Sequence, residues 1–109
     1  MTSILIAVVA SNDFDLMSRL ENVAVQSVID LREGDPEPLR RAIRSAGFGY
    51  RRGLHDLATI GALGNCALLC SSRRQAEVWA AQLLARNHTV DELLSDGRRS
   101  PFQLPLGWA

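Results

Sequence analysis

Val23-Ala24-Val25-Gln26-Ser27-Val28-Ile29-Asp30-Leu31 can be read in two periods, and the choice between them decides the fold. Val23, Val25, Ser27 and Ile29 alternate as on a strand, whereas Ala24, Val28 and Leu31 would carry on the preceding helix. Cys66-Ala67-Leu68-Leu69-Cys70 poses the same question, because it is apolar throughout and lies between two helical patterns. Ser3-Ile4-Leu5-Ile6-Ala7-Val8-Val9-Ala10 does not. It is short, rich in β-branched residues and apolar on both faces, the pattern of a buried strand in a parallel sheet.

The helices around these runs carry clear signals. Ser11-Asn12-Asp13 supplies N-cap chemistry, and Phe14, Met17, Leu20 and Ala24 follow at helical spacing. Arg32 to Asp35 reads as a turn, after which Asp35-Pro36-Glu37 starts a helix through Leu39 and Ile43 to Ala46, with Gly47 at its end. Leu54 to Leu63 is a further apolar helical pattern, ended by Gly64-Asn65. Ser72 and Gln75 have the capping-box spacing, and Ala76, Trp79, Ala80, Leu83 and Leu84 form the stripe of the helix they open. Thr89-Val90-Asp91-Glu92 has the same spacing and predicts a short helix to about Ser95.

Alternating strands and helices predict an α/β single-domain layer fold with a few short buried strands and four to five helices. The alternative is an all-α bundle in which Val23–Leu31 and Cys66–Cys70 extend their neighbouring helices. A chain of 109 residues is one domain in size. Residues 1–97 are expected to form it. Residues 98–109, with two prolines and the apolar Phe102, Leu104, Leu106 and Trp108, are expected to dock on it or on a partner.

Charge is distributed unevenly. All twelve basic residues are Arg, and they balance twelve acids. Residues 38–75 hold seven arginines against one acid, Asp56, a net of +6. Residues 1–37 come to −5 and residues 76–109 to −1. Such polarity bears on partners, not on fold. Arg40, Arg41 and Arg44 fall on a helix, Arg51 and Arg52 in the glycine-rich loop Gly47–Gly53 beside Phe48 and Tyr50, and Arg73 and Arg74 at a helix start.

The sequence speaks against several chemistries. No apolar run approaches the roughly 20 residues that span a bilayer, and the seven from Ile4 to Ala10 lack a preceding basic residue. Neither a membrane anchor nor a signal peptide is expected, and the expected compartment is the cytoplasm. Cys66 and Cys70 have no second Cys/His pair for zinc and read as buried small residues, so neither a metal nor a cofactor is expected. Gly47-x-Gly49-x-x-x-Gly53 matches no phosphate-binding fingerprint. His55 and Asp56 are adjacent and point about 100° apart on a helix, which suits mutual orientation poorly.

The favoured reading is a small non-catalytic adaptor or regulatory protein, working by protein–protein interaction or self-association. Its partner-binding residues are then Arg40, Arg44, Phe48, Tyr50, Arg51, Arg52, Arg73 and Arg74, with Trp108 as an anchor. The alternative is a nucleic-acid-binding module in which Phe48 and Tyr50 stack on bases and Arg40, Arg44, Arg51, Arg52, Arg73 and Arg74 take phosphates. A second alternative is a small enzyme using His55 or Cys66 and Cys70.

Overall fold

The computed structural model describes residues 4–9, 15–53, 56–63 and 65–107. Both undecided runs hold strands. The order is β1 (Ile4–Val8), α1 (Asp15–Glu21), β2 (Ser27–Asp30), α2 (Leu39–Ser45), β3 (Gly49–Arg52), α3 (Leu57–Leu63), β4 (Cys66–Cys70), α4 (Arg73–Ala85), β5 (Val90–Leu93) and β6 (Arg99–Pro101). The six strands make one sheet, ordered β3-β2-β4-β1-β5-β6. All neighbours are parallel except β5 and β6. The fold is therefore α/β with four helices among the described residues, and the all-α alternative is set aside.

Sheet geometry explains why Val23–Leu31 was ambiguous. Its N-terminal part is a turn after α1, and only Ser27–Asp30 is extended. There Val28 and Ile29 are both fully buried, because β2 is covered on both faces. Successive side chains of each central strand enter different clusters. Ile4, Ile6, Ile29, Cys66, Leu68 and Cys70 pack with α3 and α4. Leu5, Ala7, Val28, Ala67 and Leu69 pack with α1 and α2. The chain moves outward from β1 to β3, then returns through β4 to β5. Right-handed crossovers travelling in opposite directions put their helices on opposite faces, which is the observed division.

Three expectations are corrected. The short helix expected from Thr89 is absent, since Val90–Leu93 is β5. Its local capping pattern is overridden by pairing with β1, which satisfies main-chain groups that would otherwise be orphaned in the core. The expected loop Gly47–Gly53 contains β3, bracketed by Gly47 and Gly53 at φ of 92° and 74°. The helix expected from Asp35 begins at Leu39, because Asp35 Oδ1 accepts from the Glu37 N–H at 3.0 Å and closes a turn first.

Of the last twelve residues, Arg99–Pro101 pair with β5 and Phe102 is buried. Leu104 packs partly buried against the α3/α4 cluster, while Leu106 is fully exposed. Trp108 lies outside the described residues. No described helix is long and apolar enough to cross a membrane.

Candidate functional site

Neighbouring strands β2 and β4 send their following helices to opposite faces of the sheet. Such a divergence opens a crevice beyond the carboxyl ends of the strands, where open α/β sheets bind their ligands. A crevice of about 380 Å³ lies there, lined by Asp30, Arg32, Glu33, Arg52 and Gln75 among others. A neighbouring depression of about 310 Å³ shares Glu33 and Gln75 and adds Ser71, Ser72 and Arg74.

The crevice floor is a buried charged network. Asp30, the last residue of β2, is 1% exposed and Arg32 is 7% exposed. Arg32 Nε and Nη2 donate to the two carboxylate oxygens at 2.9 and 2.8 Å, and the Arg32 main-chain N–H adds a third bond at 3.0 Å. From β3, the Tyr50 hydroxyl donates to Asp30 Oδ2 at 2.5 Å. Burial opposes ionisation of Asp30, but hydrogen bonds from Arg32 and Tyr50 outweigh it and hold the carboxyl below its ordinary pKa. The Tyr50 phenol is pushed above its ordinary value, first by burial and then by the hydrogen bond to Asp30.

Gln75 fastens this floor to α4. Its backbone N–H donates to Ser72 Oγ at 3.2 Å, the expected N-cap bond. Its side chain accepts from the Ser71 N–H at 2.7 Å and donates to Leu31 O at 2.8 Å. The start of α4 is thus tied to the residue after β2. Arg52 closes the outer side by donating to the Gly34 carbonyl.

The expected arginine face is brought together only in part. Arg51 and Arg52 lie on β3, at the edge of the sheet, and α2 packs beside that strand with Arg44 in its last turn. Arg40 is held by Glu37 at 2.7 Å, and Arg41 lies 3.7 Å from the same carboxylate. Arg44 and Arg51 are exposed and make no ion pair among the described residues. Arg73 is elsewhere. It meets Glu92 at 2.6 Å and Glu77 at 3.4 Å, donates to Gln103 O at 3.1 Å, and sits 4.5 Å above the Phe102 ring. It clamps the C-terminal segment to α4. Arg74 is exposed on the first turn of α4, above the smaller depression.

Phe48 and Tyr50 are half-buried against the α1/α2 cluster. Cys66 and Cys70 are fully buried, and burial pushes their thiols up to about 11 and about 12. His55 lies outside the described residues, and His88 is half-buried against Gly61. Among the described residues, no three His, Cys, Asp or Glu side chains gather as metal ligands would. Sequence reasoning passed over Asp30, Arg32 and Gln75 as site residues. The available signal was a charged pair two residues apart, closing an otherwise apolar strand.

Comparison with protein families, with curated proteins and with solved structures finds no match to this chain.

Proposed function

We propose that this protein is a non-catalytic adaptor or regulatory protein that captures an acidic protein partner at the arginine-bearing edge of its sheet. The observation that carries the reading is the state of Arg44 and Arg51, exposed around β3 with no ion-pair partner among the described residues. The neighbouring arginines are answered internally, Arg32 by Asp30 and Arg40 by Glu37. Cations left exposed beside answered ones supply an attractive field for carboxylates and set the choice of partner. The half-buried positions of Phe48 and Tyr50 weigh toward a protein and away from single-stranded nucleic acid, which needs exposed rings for stacking. Burial raises the thiols of Cys66 and Cys70, which weighs against the enzyme alternative, since a thiolate nucleophile needs a lowered pKa.

Fluorescence anisotropy with two labelled probes tests the reading: a short acidic peptide and a single-stranded oligonucleotide of equal charge. The peptide is expected to bind more tightly. Combined Arg44→Glu, Arg51→Glu and Arg52→Glu replacement is expected to abolish that binding, while Arg86→Glu on the turn after α4 leaves it intact. Preference for the oligonucleotide would overturn the reading.

A further inference from the structure

Strand β3 ends the sheet, and its main-chain pattern shows which groups it leaves open. The Gly49 N–H bonds to Gln26 O at 3.0 Å and the Gly53 N–H to Asp30 O at 3.4 Å. Along a strand in a parallel pair, alternate residues direct both main-chain groups to the same side. Gly49, Arg51 and Gly53 therefore face β2, and Tyr50 and Arg52 turn their N–H and C=O groups outward. No backbone partner meets those groups among the described residues. The opposite edge differs, because β6 carries Pro101, which has no N–H to offer.

The side chains around this edge define what can join it. Arg51 lies opposite Ile29, which belongs to the α3/α4 face, and Arg52 lies opposite Asp30 on the other face. Consecutive residues of an added strand also point to opposite faces. Two successive acidic residues would therefore place one carboxylate beside Arg51 and the next beside Arg52, with Arg44 on the second side. A second copy of the same edge is a poor occupant. In antiparallel pairing, every register that sets the outward-facing Tyr50 and Arg52 against those of the copy puts arginines opposite or diagonal to arginines, which disfavours the pairing.

We propose that β3 accepts an extended segment of a partner protein as a seventh strand, and that this segment carries a pair of adjacent acidic residues flanked by β-branched ones. Main-chain bonds to Tyr50 and Arg52 would supply part of the affinity, and the carboxylate pair would select the sequence. The inference rests on the adaptor reading above and adds its mode of binding and the chemistry of the partner.

The test uses the full chain and a capped peptide Thr-Val-Glu-Glu-Val-Thr, with two further peptides N-methylated at alternate amides in the two registers. Strand addition predicts that one methylated series loses about tenfold in affinity per blocked bond, while the other binds as the parent does. If both series bind as the parent, the carboxylates are held by charge alone: strand addition fails and the adaptor reading stands. Loss of binding in both series also overturns strand addition. If the parent peptide does not bind, or binds equally well to the Arg44→Glu, Arg51→Glu, Arg52→Glu variant, the adaptor reading falls and takes this inference with it.

Discussion

The Tyr50 hydroxyl lies 2.5 Å from Asp30 Oδ2, so the outermost strand is locked to its neighbour by side chains as well as by the ladder. The same carboxylate takes two bonds from the Arg32 guanidinium. Three residues thus fix the crevice floor and the inner side of the edge strand together. Tyr50→Phe removes one bond and leaves the ion pair, with an expected loss of about 1–2 kcal/mol. Asp30→Ala strands the Arg32 charge in a buried position and is expected to cost about 3 kcal/mol or more. Urea unfolding of the two variants checks the order, and equal losses would contradict it.

Stability should be flat across neutral pH and fall at both extremes. Asp30 is held below its ordinary value of 3.8, so its contribution is complete above that pH. It is lost as pH falls from there through the folded value. Tyr50 is shifted up from 10.0, so its contribution is complete below that pH and is lost as pH rises toward the folded value. The chain has a single tyrosine, which makes phenolate absorbance a direct readout. In the native protein the phenolate should fail to appear at pH 10 and should rise together with alkaline unfolding. An ordinary titration midpoint in folded protein would refute the hydrogen bond.

Arg73 should act on the C-terminal segment and not on partner capture. It joins Glu77 on α4 to Glu92 on β5, to the Gln103 carbonyl and to the Phe102 ring. Its side chain is about half exposed, so screening keeps the expected cost of Arg73→Ala near 1 kcal/mol. Faster hydrogen exchange is expected at the Phe102 amide, which bonds to Val90 O at 2.9 Å. The β4 amides should keep their protection. Uniform loss across the sheet would show that Arg73 supports the whole fold.

Neither thiol should react in the folded protein at neutral pH. Cys66 and Cys70 are fully buried on β4, with pKa values pushed up by burial. A soluble aromatic disulfide reagent should find no reactive group until denaturant is added, and then two. Rapid modification of one thiol in native protein would favour the enzyme alternative.

The legible parts of the fold were those set by local pattern. Ser72 and Gln75 announced α4, and the apolar run from Ile4 announced β1, because capping and two-sided burial leave marks within a few residues. Strand β5 was misread because a capping-box spacing at Thr89 and Glu92 is also compatible with an extended segment. Only the open flank of β1, distant in sequence, decides between them. The site was less legible for the same reason. Arg51 and Arg73 looked alike as charges in a basic span, but the partner acids of Arg73 arrive from α4 and from β5. Tyr50 looked like an exposed loop aromatic until β3 paired with β2 and brought its hydroxyl to Asp30.

The most direct test is a residue-resolved amide exchange map of the full chain, free and saturated with the Thr-Val-Glu-Glu-Val-Thr peptide. Strand addition predicts new protection at the Tyr50 and Arg52 amides, with little change at Gly49, Arg51 and Gly53, which already face β2. Protection confined to α4 or β6, or no change along residues 49–53, would contradict it.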